Sequence, residues 1–254
     1  MCVLRVYSCK NEVISNCCRT PVTLPNPMEA RMDKTLAREA LIKFFSGVVL
    51  VGLLVFFPAG TLAWWNGWLL MGTLFVPMVI AGFIMLYRAP SLLRSRLQAR
   101  ESQSDQQLVI KLSGLMFLVA FVVAGLGKRF GWIAFPRPVC IAAAVVFLFG
   151  YALFGEVLRE NAYLSRTIEV QTGQRVIDTG LYGIVRHPMY AATILMFLAM
   201  PVMLGSPAGF FVMWAYPPTL NIRMDGEEKL LAQELNGYKD YLKRVRWRVI
   251  PHLW

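Results

Sequence analysis

The sequence has 254 residues, of which 57% are hydrophobic and 16% charged, and its net charge is +11. Soluble domains average roughly 45–50% apolar and about 25% charged residues, so this composition excludes an ordinary water-soluble domain. In a chain this apolar the basic excess belongs to loops at a membrane surface, and no nucleic-acid partner is expected.

Four of the five cysteines, Cys2, Cys9, Cys17 and Cys18, stand in the first 18 residues. Their spacing matches no zinc pattern and the two histidines, His187 and His252, are far downstream, so no metal site is expected. This stretch lacks the apolar run of a signal peptide. Residues 1–28 read as a disordered tail, with Met28 and Met32 as alternative starts of the mature chain. Residues 29–254 read as a single integral membrane domain.

Residues 29–43 mix charges at helical spacing and lead into the membrane. No charged residue occurs from Phe44 to Tyr87. A crossing needs roughly 20 apolar residues, so this gap holds two spans, 44–60 and 68–87. Trp64, Trp65 and Trp68 surround Asn66-Gly67 between them, an interfacial turn with indoles at headgroup level. A polar loop follows at 88–107, with Arg88, Arg94, Arg96 and Arg100. The third span is 108–127, with Lys111 close enough to its end to snorkel. A short connection at 128–138 leads to a fourth span, 139–158, and then to a polar stretch, 159–187.

The apolar region 188–221 would be about 50 Å long as one helix, too much for a single crossing. Turn residues at its middle, Leu204-Gly-Ser-Pro-Ala-Gly209, predict a tight helical hairpin. A charged helix over 223–248 ends the chain before Pro251. The expected fold is all-α, a polytopic bundle of about six membrane segments. Basic residues concentrate at 88–100 and in the C-terminal helix, which places those parts and the 159–187 stretch on the cytoplasmic side. Lys128, Arg129 and Arg137 run against that bias.

Two segments carry candidate chemistry. In Thr179-Gly-Leu-Tyr-Gly-Ile-Val-Arg-His-Pro-Met-Tyr190, Pro188 suits the first turn of a helix. Arg186 and His187 then stand at the helix entrance, where free N–H groups favour an anion. Tyr190 lies one step inside. In Asn221-Ile-Arg-Met-Asp-Gly-Glu-Glu228, Arg223 and Glu227 are four apart and share a helix face. The acidic pair Glu227-Glu228 suits an ammonium or a sulfonium. A basic membrane-entrance loop with a capped helix, and a solvated salt-bridged helix start, would give the same patterns.

Gly-x-Tyr-x-x-x-Arg-His-Pro-x-Tyr, then a charge-free hairpin, then Arg-x-x-x-Glu-Glu, then Tyr238-x-x-Tyr241 and a basic run to Ile250-Pro251, resembles the isoprenylcysteine carboxyl methyltransferase family, which is related to the phospholipid N-methyltransferases. The resemblance covers residues 176–254. It departs at Ala191-Ala192, where many relatives carry glycine. It implies an S-adenosylmethionine-dependent methyltransferase whose cofactor-binding part is 176–254. Tyr182, Arg186, His187, Tyr190, Glu227 and Glu228 would hold the cofactor, with Arg223 and Glu227 as the catalytic pair. The expected partners are membrane lipids and a lipid-like methyl acceptor, either a prenylcysteine-type carboxylate or an aminolipid. The expected location is the bacterial inner membrane or the endoplasmic reticulum, with a cytoplasmic-facing site. The alternatives are a membrane NADPH-dependent sterol- or steroid-type reductase, which shares a His-Pro-x-Tyr layout, and a non-catalytic membrane protein.

Overall fold

A computed structural model describes residues 34–88, 90, 93–94, 97, 104–161 and 174–254. The expected tail at 1–28, most of the polar loop at 88–107 and the middle of the 159–187 stretch lie outside the described residues. Every regular element among the described residues is helical. The apolar runs form α1 (Lys34–Ala59), α2 (Trp65–Arg88), α3 (Ser104–Phe130) and α4 (Arg137–Glu160), followed by a 3-10 turn at Gly180–Gly183. Then come α5 (Pro188–Met203), α6 (Pro207–Met213), α7 (Tyr216–Glu234) and α8 (Tyr238–Arg244).

α1 to α4 are each long and apolar enough to cross a membrane. Their outer surfaces stay apolar, with Phe57 81% exposed and Leu53 59% exposed. Water would penalise such a surface and hydrocarbon does not. The chain is an integral membrane protein. α2, α3 and α4 extend beyond the predicted spans at both ends, and α1 at its N-terminal end. The tryptophan turn is shorter than expected, because α2 already begins at Trp65. Trp64 is buried rather than interfacial, while Trp68 is half-exposed and donates its indole N–H to Leu62 O at 2.8 Å.

Where lipid surrounds the bundle, helices associate through close packing rather than through hydrophobic exclusion. The core joins Val55 and Phe56 of α1, Leu70 of α2, Phe121 of α3, Phe147 of α4 and Met196 and Met203 of α5. α3 approaches α1 at Gly125, where an added Cβ would lie 2.8 Å from Pro58 Cβ and 2.9 Å from Val55 O. Backbone cannot yield as a side-chain tip can, so Gly125→Ala is expected to destabilise by about 1–3 kcal/mol. Gly114→Ala, with no atom within 4 Å of its new methyl, should leave thermal unfolding in detergent unchanged. Equal melting curves for the two variants would contradict this packing.

The apolar stretch after Pro188 turns back, as its length demands. α5 has 16 residues and ends at Met203. Ser206 caps the return by accepting from Gly209 N at 3.0 Å, with Pro207 next to it. The return arm is α6 plus the start of α7. The charged helix is therefore not a separate element starting at Arg223: it continues a helix that begins at Tyr216, and it breaks at Leu235–Gly237 before α8. Ala192, a departure from the family pattern, is fully buried where α5 meets α4 at Gly150.

Candidate active site

Tyr216, Leu220, Met224 and Glu228 are buried residues of α7 at a constant spacing of four. Such a spacing forms one stripe on a helix. The three apolar members pack with Tyr190 of α5 and Val249 of the C-terminal segment. The stripe carries Glu228 into the protein, where it is 9% exposed. His187, the N-cap residue of α5, is 5% exposed, and its Nε2 lies 3.0 Å from Glu228 Oε1. Arg248 donates to Glu228 Oε2 at 2.8 Å, and Arg186 Nε lies 3.4 Å from Oε1. Burial pushes the Glu228 carboxyl up. The hydrogen bond and charge of His187 and the charges of Arg186 and Arg248 outweigh it, so the carboxyl is held below its ordinary value.

Glu227, one residue earlier, is rotated about 100° from this stripe and its side chain keeps 26% exposure. Its Oε2 accepts from the Tyr190 hydroxyl at 2.9 Å and lies 3.8 Å from His187 Nδ1. Arg223 Nε donates to the same hydroxyl at 3.0 Å. Arg223 and Glu227 therefore meet on Tyr190, a residue of the opposite hairpin arm. The Tyr190 ring is buried and tilted against His187, with centroids 5.4 Å apart.

Five of the six residues expected to hold a cofactor, with Arg223, thus converge where the two hairpin arms meet. Tyr182 is placed differently. It is buried, its hydroxyl accepts from Asn161 Nδ2 at 3.0 Å, and its carbonyl accepts from the Tyr241 hydroxyl at 2.8 Å. Its turn is held by Glu160, which accepts from Thr179 Oγ1 at 2.9 Å and from Leu181 N at 3.3 Å. Gly180 is required there, since φ is +52° and any Cβ would strike that carboxylate.

The anion-binding role also needs correcting. The backbone N–H groups of Arg186 and His187 are not free: they donate to Trp247 O at 2.9 Å and Arg248 O at 2.8 Å. What remains is the Arg186 side chain, whose buried Nε is ion-paired with Glu228 Oε1 at 3.4 Å but makes no hydrogen bond. A buried guanidinium N–H without a formed hydrogen bond is costly, and a closer carboxylate oxygen would satisfy it. Arg248 and the backbone strap at 247–248 were missed in the sequence. Arg248 stood there as one of several basic residues after Lys243, and nothing in that run marks which one turns inward.

Residues 139–236 match the family model of phospholipid methyltransferases. That span runs from α4 through the hairpin to just past the end of α7, so it includes Arg186, His187, Tyr190, Arg223, Glu227 and Glu228 and stops short of Arg248. The chain is also similar to the Delta(14)-sterol reductase TM7SF2 of Mus musculus, with 24% identity over 131 residues, 46% of this chain and 31% of that protein. The chain thus spans about a third of that relative's length. Its similarity to the phospholipid methyltransferases lies in the segment that builds the site.

Proposed function

We propose that this protein is a membrane methyltransferase that takes S-adenosylmethionine as methyl donor and a lipid-like molecule as acceptor. One observation carries the reading. The part-exposed carboxylate of Glu227 and the guanidinium of Arg186, whose buried Nε makes no hydrogen bond, both border the buried His187–Glu228 pair. Glu227 and Arg186 complement the ammonium and carboxylate of an amino-acid head group, and the match to the phospholipid methyltransferase model covers both residues. Glu228 does not serve as the ammonium ligand, because three side chains of the protein already surround it.

S-adenosylmethionine supplies a methyl group on a sulfonium, open to in-line attack by a nucleophile. The protein's own residues position and shield. Arg186 would hold the carboxylate and Glu227 the ammonium, while Arg223 and Tyr190 fix Glu227 in place. Much of the rate would then come from alignment and from exclusion of water at the bilayer boundary. A carboxylate acceptor attacks directly. An ammonium acceptor must first lose a proton to solvent. The acceptor would enter sideways from the bilayer beside the hairpin. With the hairpin as the last two of six membrane segments and the N-terminus inside, as the loop charges favour, the site would face the cytoplasm.

The similarity to a sterol reductase favours a second reading, NADPH-dependent reduction in the same site. Purified protein with methyl-labelled S-adenosylmethionine and a membrane lipid extract is expected to move label into the organic phase. Lipid-dependent oxidation of NADPH with no label transfer would replace the first reading with the second.

A further inference from the structure

α5 carries the chain about 24 Å away from His187, at 1.5 Å per residue over its 16 residues. At its far end three connections come together: 60–64 between α1 and α2, 131–136 between α3 and α4, and 204–206 in the hairpin. They line a half-open cavity of about 800 Å³. Its walls are tied. Phe135 N donates to Gly205 O at 3.0 Å, Asn66 Nδ2 donates to Met203 O at 2.7 Å, and Trp132 N donates to Gly127 O at 2.9 Å. The cavity is remote from Arg186 and Glu228, and the methyl-transfer reading gives it no role.

Its lining joins Lys128 and Arg137 to the indoles of Trp64, Trp65 and Trp132. No acidic residue occurs in the sequence at 44–87, 106–155 or 179–224, so no carboxylate from these connections balances the two cations. Lys128 stands in the last turn of α3, where a cation suits the helix dipole. Arg137 does not have that explanation. It is the first residue of α4, at the positive end of the helix, where a cation is disfavoured. Its guanidinium lies over the Trp65 ring, 5.9 Å from the centroid, at the rim of the cavity. These are also two of the three basic residues that oppose the charge bias used to orient the chain.

We infer that this cavity is a second binding site, for a phosphate-bearing anion, with Lys128 and Arg137 as its charged ligands and the tryptophans as its apolar wall. Two sources carry that chemistry, the headgroup of an anionic phospholipid and free phosphate. The site does not depend on the methyltransferase reading.

The test uses the full chain in detergent with an equimolar mixture of phosphatidylglycerol and phosphatidylcholine, and retained lipid is read by native mass spectrometry. Wild type is expected to retain phosphatidylglycerol preferentially. Lys128→Gln with Arg137→Gln should reduce that preference about tenfold, as loss of charge-assisted phosphate contacts implies. Lys128→Arg with Arg137→Lys keeps both charges and should keep the preference, which separates binding from misfolding. A parallel thermal-shift arm uses inorganic phosphate alone. Stabilisation of wild type but not of the glutamine variant would support the site with free phosphate as a sufficient ligand. Stabilisation by phosphatidylglycerol alone, again lost in that variant, would support the lipid headgroup. Equal lipid preference in wild type and the folded glutamine variant would overturn the proposal.

Discussion

Replacing Glu228 with Ala is expected to destabilise the protein by about 3 kcal/mol, because it removes the counter-charge of the buried Arg186 and the partner of the buried His187. Arg186 Nε, His187 Nε2 and Arg248 Nη2 all lie within 3.4 Å of this carboxylate. The loss should appear as a lower unfolding temperature in detergent, with or without cofactor. The same cluster sets an acid limit. The folded carboxyl titrates below its ordinary value of 4.5, so its contribution is fully present above pH 4.5 and is lost as the pH falls through the folded value. Glu228→Gln should remove that acid-dependent component and leave the profile above pH 5 flat with respect to this group. A Glu228→Ala protein with wild-type stability would show that the ion cluster contributes nothing to the fold.

Glu227→Gln should do the opposite: keep the fold and weaken S-adenosylmethionine binding. A hydrogen bond to a charged group contributes about 1.5–3 kcal/mol, so the expected loss of affinity is roughly 10- to 150-fold. The amide can still accept from the Tyr190 hydroxyl, which lies 2.9 Å from the carboxylate, so the site's shape survives. Tyr190→Phe removes the hydroxyl on which Arg223 and Glu227 meet. It should lower turnover more than affinity. Calorimetry on a folded Glu227→Gln protein that returned wild-type affinity would remove Glu227 from the cofactor site, and Arg186 alone would not make one.

The broad layout of the fold was legible in the order of residues, because a bilayer imposes a length on every apolar run. The charge-free stretch at 44–87 is long enough for two passes, that at 189–221 is too long for one, and the Gly205-Ser206-Pro207 turn marks where it reverses. A hairpin with arms of similar length returns its ends to one place, so the meeting of Arg186-His187 with Glu227-Glu228 was legible too.

Helix rotation and contacts distant in sequence were not legible. Glu227 and Glu228 are adjacent and chemically alike, yet one stays part-exposed while the other is enclosed by three partners, because α7 is rotated by the packing of its apolar stripe against α5. Arg248 reaches Glu228 from 20 residues away through a strap whose carbonyls occupy the N–H groups of Arg186 and His187. No local pattern encodes that pairing. The cavity at the far end is a property of three separate turns and exists only once the helices between them are packed. Periodicity and span length act along the chain and can be read from it. Rotation, strap pairing and cavity shape come from side chains that meet across the bundle, where sequence distance carries no information.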